Sequence, residues 1–336
     1  MNNPNKYIFD EIGLTAWHDA GYTGKLGLSA TGEDVVTTPI TRDWWQSPFS
    51  DEQGDDHAYK SAMVFHAFAP ERKLVTLRPD NSRVGKETAF QDETIPYAIK
   101  NGVDTFFVSL RADTLPKSVD DMLETVPALS YFSSAGNYGE DSHNRRIDLR
   151  NIFGVGAYDL KAKEAAGYSS WSQNVDFCAP TNCYAQSANG QSWILFKGTS
   201  CAAPALAGMC ACVNHFFIEK TGAPLNRWAM YEFLQDCAVD VGDKGKDLQT
   251  GWGLPILPKP ENVDISKYAR DDDMKFSDTS GHWAEKAIEE ITDAGIMNGF
   301  PDGTFRPDQP LTRAQMAQLC LNFEKYLMEE LDNKHF

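Results

Sequence analysis

Short apolar runs punctuate the first three quarters of the chain. "KLVTL" (73–77), "DTFFVSL" (104–110), "LSYFSSAGN" (129–137) and "NIFGVGAYD" (151–159) are brief, rich in β-branched or aromatic residues, and end in turn formers. That is the pattern of strands buried on both faces. Helix-like pieces such as "SVDDMLETV" (118–126) lie between them. Alternation of this kind predicts an α/β fold, a doubly wound parallel sheet with helices on both faces. Sites in such sheets gather at the carboxyl ends of the strands. From Thr199 to about Lys220 the chain is apolar almost throughout, which predicts a helix buried on nearly all sides.

The pattern changes after the proline-bearing stretch "LQTGWGLPILPKPENVD" (248–264). We expect a large domain over 1–258, a linker over 259–271 and a small all-α module over 272–336. "HWAEKAIEEITDAGI" is amphipathic, with Trp283, Ala287, Ile288 and Ile291 on one face. "PDGTFRPD" is a turn cluster. Thr312 and Gln315 then stand at capping-box spacing, and Met316, Leu319, Cys320, Phe323 and Leu327 recur at helical intervals. A helix–loop–helix of roughly 55 residues is marginal alone and should pack on something.

Composition narrows the function classes. A formal net charge of −17 argues against a nucleic-acid partner, since phosphate binding needs clustered Lys and Arg. No stretch reaches about 18 consecutive apolar residues, so no membrane-spanning helix is expected. The N-terminus, "MNNPNKYIFDEIG", has neither a basic region nor an apolar one, so it does not read as a secretory signal. Seven cysteines with no CxxC pair argue against a zinc ribbon or a disulfide framework, and reduced thiols are the default. The closest loop-like pair is Cys178 and Cys183 in "CAPTNC". No cofactor is required. Acidic loops are compatible with calcium, but no ligand run is specific enough to name a site.

"LFKGTSCAAPALAG" (195–208) places Ser200 at the start of the apolar helix. One reading is helix capping, the common role of serine before an apolar run. The other is a nucleophile, because the helix N-terminus stabilises negative charge on an attacking oxygen and on the oxyanion it creates.

"GTSCAAPALAG" resembles the nucleophile motif of the subtilisin-like (S8) serine proteases, GTS-x-A-x-P followed by an Ala/Gly helix. Other pieces follow in order. "SSAGNYG" (133–139) is similar to the strand end that supplies the family's oxyanion asparagine, which implies that role for Asn137. "GVGAYDLKAKEAAGYSSWSQNVDFCAP" and "GWGLPI" are similar to the later strands and the segment closing the domain. "GDDHAYKSAMVFHAFAPERKLVTL" resembles the family's histidine helix and the strand after it. It implies His57 as the base, although Ala58, Tyr59 and Lys60 replace the family's Gly, Thr and His. His66 then lies within the helix. The resemblance spans roughly residues 10–258 and implies peptidase chemistry on a peptide or protein substrate. Ser109, Leu110 and Arg111, with Ser134, Ala135 and Gly136, would form two backbone walls that hold an extended peptide as an added strand.

One member is missing. In "KLGLSATG" (25–32) Thr31 and Gly32 align with the second and third positions of the family's D-T-G, which puts Ala30 at the catalytic aspartate. A methyl group cannot accept the imidazole N–H, so this chain is expected to be nearly inactive. Three explanations stay open. Ala30 is an engineered inactivating change, or the chain is a natural pseudoprotease that binds peptides without cutting, or a neighbouring acid such as Glu33, Asp34 or Asp43 substitutes.

"FSDTSGHWAEKAIEEITDAGIMNGFPDGTFRPDQPLTRAQMAQLC" resembles one S-layer homology (SLH) repeat. The resemblance implies binding of anionic cell-wall polysaccharide, with Arg313 and Asp278 as ligand-side residues and Gln315 in place of the family's glutamate. The family usually carries three copies in tandem. A single copy suggests that three chains combine theirs into a trimer, or that the module docks elsewhere. The missing export signal points to a cytoplasmic or phage-associated protein, and the SLH module to the cell envelope instead. No membrane partner is expected.

Overall fold

A computed structural model describes residues 3–32, 45–46, 56–77, 94–109, 122–123, 126–141, 151–187, 190–269, 276, 278–279, 281–294, 296–297, 299 and 304–333. The chain forms two compact units, Met1–Ile265 and Ser266–Phe336.

In the first unit, α1 (Lys6–Glu11) and α2 (Leu14–Asp19) lead into β1 (Leu28–Thr31). There follow β2 (Trp45–Gln46), α3 (Asp56–Phe68), β3 (Lys73–Thr76), α4 (Ile95–Lys100), β4 (Thr105–Val108), β5 (Ser130–Ser134) and β6 (Ile152–Asp159). The sheet order is β2-β3-β1-β4-β5-β6, parallel throughout. A two-residue β7 (Glu164–Ala165) pairs antiparallel with the end of β6, and β8 (Val175–Pro180) pairs parallel with it. The four apolar runs picked out above are β3, β4, β5 and β6. The hairpin β9 (Cys183–Gln186) and β10 (Trp193–Phe196) then delivers the chain to α5 (Thr199–Thr221), followed by α6 (Arg227–Cys237) and the short pair β11 (Ala238–Val239) and β12 (Leu254–Pro255).

Strand register decides which side chains share a face. Ala30 is level with Val75 and Phe106, Phe106 with Tyr131, and Tyr131 with Ile152. This row joins Ile95 and Ala98 of α4 in one apolar layer. The next row, Thr31, Phe107, Phe132 and Phe153, takes the opposite face, since successive side chains alternate. Phe65 of α3 stacks on Phe107 with centroids 5.0 Å apart, and Asn214 of α5 reaches Thr105 Oγ1 at 3.4 Å. Helices α3 and α5 therefore cover this second face.

Every residue of α5 from Thr199 to Phe217 is buried. By length and composition α5 would suffice to cross a bilayer, contrary to the expectation drawn from uninterrupted apolar runs. Its burial identifies it as the core helix of this unit. Gly208 lets α3 approach it: a Cβ there would lie 2.5 Å from that of Phe68. At the other end of the sheet, the fully buried Arg72 pairs with Asp104 and donates from Nε to Ser29 Oγ at 2.9 Å. Asn214 Nδ2 also donates to Asp104, at 3.0 Å. The start of β1 is thus tied to β4 and α5.

Part of the expected linker belongs to this unit. Leu257 N–H donates to Ile12 O (2.9 Å) and Trp17 Nε1 to Pro258 O (2.7 Å), and Pro260–Asn262 forms a 3₁₀ turn. The prolines stop helix and strand here without releasing the chain. All seven cysteines are free thiols. Burial and the neighbouring Cys201 push the Cys183 thiol up, so it stays protonated.

The second unit contains α7 (Glu285–Asp293) and α8 (Arg313–Asn333). Phe276, Ile288 and Phe305 form its small core, with Ile291 and Met297 against it. The capping box is present: Thr312 N–H donates to Gln315 Oε1 (2.9 Å) and Gln315 N–H to Thr312 Oγ1 (3.2 Å). The expected apolar face of the first helix is only half right. Helix α7 starts at Glu285, so Trp283 precedes it and is 91 % exposed, and Ala287 is exposed as well.

Candidate active site

Gly198, with φ +95°, holds the N-cap place of α5 and offers no side-chain cap. Ser200 is therefore inside the first turn. Its hydroxyl caps nothing: it donates to the carbonyl oxygen of Ser109 at 2.9 Å. Ser109 follows β4 directly, at the carboxyl edge of the sheet.

Asn137 lies just past β5, which brings it beside the same helix turn. Its Oδ1 accepts from the backbone N–H of Thr199 (2.8 Å) and from Thr199 Oγ1 (3.0 Å). A backbone N–H can only donate, so the atom facing it must be the oxygen, and Nδ2 is turned the other way as a donor. Thr199 Oγ1 in turn accepts from Gly136 N–H at 3.1 Å. Here a neutral amide is fixed next to the positive end of a helix, an arrangement suited to a developing oxyanion.

His57 opens α3. Four residues on, Ser61 shares its stripe of the helix, and the Ser61 hydroxyl bonds that of Ser109. Phe65, one turn further, stacks on Phe107. Helix α3 thus runs antiparallel to β4, with its N-terminus at the sheet's carboxyl edge. The ring of Phe196, four residues before Ser200, meets the His57 ring edge-on at 5.4 Å. These contacts bring the imidazole, the Ser200 turn and the Asn137 amide to one edge. Burial of Thr31, Ser109 and Ser200 keeps much of that edge from bulk water, which strengthens its electrostatics.

Two expectations need correction. Ala30 does not face this edge. It is fully buried in the layer of Phe106 and α4, on the far side of the sheet from α3 and α5. The alignment of "ATG" with D-T-G made Ala30 the aspartate position, but the alternation of β1 turns Thr31 toward α3. Nor does Gly136 offer a ladder to a peptide. Its N–H goes to Thr199 and its carbonyl accepts from Ser170 N–H, while Ala135 N–H goes to Val155 O. That segment is a wall made by Ser134, Ala135 and Gly136, held from behind. Leu110, Arg111, Glu33, Asp34 and Asp43 lie outside the described residues. Ser61, Phe196, Thr199 and Thr31 were not anticipated, although helical spacing from His57 marks Ser61 and position next to Ser200 marks Thr199.

In the second unit, Asp278 is a brace. Its carboxylate accepts from Phe305 and Arg306 N–H, both at 2.7 Å, and holds Arg306 at φ +56°. Those two bonds give the aspartate a structural role in the turn at Phe305 and Arg306. Arg313 is exposed at the first turn of α8. A cavity of about 590 Å³ opens beside α8, lined by Ile291, Phe305, Arg306, Gln315, Gln318 and Asn322 among others. Neither Arg313 nor Asp278 borders it. Among the described residues no cluster of His, Cys, Asp and Glu is arranged to hold a metal ion.

The chain belongs to the subtilase family, whose profile matches residues 53–253, and it carries an S-layer homology domain at 275–317. It is 26 % identical over 206 residues to an intracellular serine protease of Paenibacillus polymyxa, covering 58 % of this chain and 61 % of that one. Its C-terminal part is 39 % identical over 67 residues to Cell surface glycoprotein 1 of Acetivibrio thermocellus, which is 20 % of this chain and 3 % of that protein. The chain thus spans less than two thirds of either relative, 61 % of the first and 3 % of the second. Among solved structures it resembles the PatG macrocyclase in complex with peptide, with a TM-score of 0.63 at 13 % identity over 77 % of this chain and 97 % of the other. That likeness concerns the fold alone.

Proposed function

We propose that the first unit is a serine endopeptidase acting through Ser200, His57 and Asn137. The observation that carries this reading is the Ser200 hydroxyl: it sits in the first turn of a buried helix, free of any capping duty, one residue from the Thr199–Asn137 clasp. In this reading His57 takes the Ser200 proton as Oγ attacks a peptide carbonyl. Asn137 Nδ2 and the Ser200 backbone N–H receive the oxyanion. The imidazolium then protonates the leaving amine, and water hydrolyses the acyl-enzyme. Its rate is low, because β1 from Leu28 to Thr31 carries no carboxylate on either face. Loss of the triad aspartate costs a serine protease about 10⁴ in kcat.

The same missing carboxylate favours a second reading, a peptide-binding pseudoprotease. A fluorophosphonate probe and a fluorogenic peptide library separate the two. Labelling at Ser200 that is abolished in Ser200→Ala, with slow hydrolysis, supports the peptidase. Peptide binding with no labelling supports the binder.

We place the protein at the cell envelope, since the relatives of its SLH domain include a cell surface glycoprotein. Arg313 is the group we assign to carboxylates of an anionic wall polymer, through its planar fork of donors. Three chains joining their SLH domains would cover Met316, Phe323 and Leu327 of α8, which are 45–48 % exposed. Light scattering at micromolar concentration that returns a monomer would remove the trimer.

A further inference from the structure

The geometry points to Tyr168 as a positioning residue of the oxyanion site: its hydroxyl, through Thr181 and the Gly198–Thr199 peptide group, fixes the Asn137 amide. The assignment rests on the peptidase reading above. Tyr168 is half-buried in the segment between β7 and β8. Its hydroxyl lies 3.0 Å from Thr181 Oγ1 and accepts from Gly198 N–H at 3.1 Å. Thr181 is 2 % exposed, in the turn from β8 to β9, and its own N–H donates to Tyr158 O of β6 at 3.0 Å. Its Oγ1 accepts from the same Gly198 N–H at 3.1 Å and donates to Gly198 O at 3.3 Å. A carbonyl can only accept, and threonine has a single hydroxyl proton, so the proton between the two hydroxyls is that of Tyr168.

Gly198 depends on these partners. It holds the N-cap place of α5, beyond the last ladder pair of β9 and β10, Cys183 with Phe196, so neither helix nor sheet offers an acceptor to its N–H. Its φ of +95° with ψ of 172° suits glycine, which has many other conformations open to it unless held. A peptide group is rigid and planar, and Gly198 O and Thr199 N–H are opposite ends of one such group. Thr181 grips the oxygen, and the N–H goes to Asn137 Oδ1 at 2.8 Å. The Asn137 amide is therefore oriented through this plane by a hydroxyl that Tyr168 itself orients. The same segment also grips the loop on either side of Asn137. Tyr168 O accepts from Gly139 N–H (2.8 Å), Ser170 N–H donates to Gly136 O (2.9 Å) and Ser170 Oγ accepts from Tyr138 N–H (3.2 Å). Residues 168–170 thus join the loop that carries Asn137 to the turn that carries Ser200. Hydroxyls in a chain polarise one another, so losing the Tyr168 donor weakens the whole relay.

The test uses the full chain carrying Tyr168→Phe, Thr181→Val or Thr181→Ser, and Tyr168→Phe combined with Asn137→Ala. It reads kcat and KM on a fluorogenic peptide, the rate of phosphonate labelling of Ser200, the thermal midpoint, and inhibition by a peptidyl trifluoromethyl ketone, whose adduct with Ser200 carries an oxyanion. Tyr168→Phe is expected to lower kcat about 3- to 10-fold at constant KM, as loss of one hydrogen bond would, and to weaken the ketone by the same factor. Thr181→Val removes the middle of the relay and lowers kcat further, while Thr181→Ser keeps the hydroxyl and stays near wild type. Beside Asn137→Ala, Tyr168→Phe costs nothing more, because the amide it positions is gone. The assignment is overturned if Tyr168→Phe leaves kcat and ketone affinity of folded protein unchanged, whatever its midpoint does, or if its effect persists in full beside Asn137→Ala. A loss confined to KM overturns it equally, since that would make Tyr168 a substrate contact. Should Thr181→Val fail to fold, Tyr168→Phe and Thr181→Ser decide the matter. Labelling of Ser200 that proceeds equally in wild type and Tyr168→Phe ends this assignment alone. No labelling of Ser200 in any of these proteins, wild type included, ends the peptidase reading and this role together.

Discussion

Thr199 donates twice to one atom of Asn137: its backbone N–H and its hydroxyl both reach Oδ1, at 2.8 and 3.0 Å. A side-chain amide held by two donors cannot flip, so its NH₂ is committed to one direction before substrate arrives. Preorganised donors of this type contribute more than mobile ones, since no reorganisation is needed during reaction. Asn137→Ala should lower kcat by about 10²–10³, the cost of losing an oxyanion donor in a subtilase, with little change in thermal midpoint because Asn137 is exposed. Thr199→Val removes one of the two bonds and should lower kcat by less. Steady-state kinetics with far-UV thermal melts checks both.

Gly198 makes that clasp possible. Its φ of +95° suits glycine, and a Cβ there would lie 3.1 Å from Asn137 Nδ2 and 3.2 Å from Oδ1. Gly198→Ala should therefore act twice, through about 1–3 kcal/mol of backbone strain at this positive-φ, extended-ψ position and through displacement of the amide. The expected signature is a kcat loss larger than the drop in stability accounts for, measured by activity on protein shown to be fully folded.

How far these features were legible in the sequence depends on what each required. The strands at 73–76, 105–108, 130–134 and 152–159 and the helix at 199–221 were readable because burial on both faces leaves runs with no polar alternation. Ser200 and Asn137 carried strong local motifs. Ala30 shows the limit. Period-2 alternation means that an error of one residue turns a side chain to the other face of the sheet, and β1 is buried on both faces, so polarity did not mark the α3 side. The register with Phe107 and the stacking of Phe65 settled it. Trp283 and Ala287 failed for a related reason: they fit a helical stripe, but the helix begins at Glu285 and its module has little core to cover them.

The buried pair Arg72–Asp104 makes a stability prediction. Arg72 is 0 % exposed, and besides Asp104 it donates to Ser29 Oγ, while Asp104 also accepts from Asn214. Removing one partner of such a pair strands the other as an uncompensated charge, at a cost of about 3–5 kcal/mol. Asp104→Ala should therefore shift urea unfolding far to lower concentration and reduce labelling of Ser200 only in proportion to unfolded protein. If Asp104→Ala and Arg72→Met each left the midpoint unchanged, the cluster would hold nothing together.

Acid should loosen the first unit through two histidines remote from Ser200. Burial lowers the pKa of His18, against a smaller opposing effect of its bond to the Phe68 carbonyl at 2.9 Å. Burial also lowers that of His215, opposed by Glu219, with the Tyr22 ring edge-on at 5.5 Å. A histidine whose folded pKa lies below its ordinary value of about 6.5 binds fewer protons folded than unfolded. The stability it confers is complete above that value and is lost as pH falls through it toward the folded pKa. Thermal midpoints should hold steady from about pH 8 to 7 and fall from about pH 6.5 downward. Because each ring is lodged among apolar and aromatic neighbours, His18→Gln and His215→Gln should lower the midpoint at neutral pH yet flatten its decline in acid. A decline equally steep in the double variant would assign acid sensitivity to carboxylates instead.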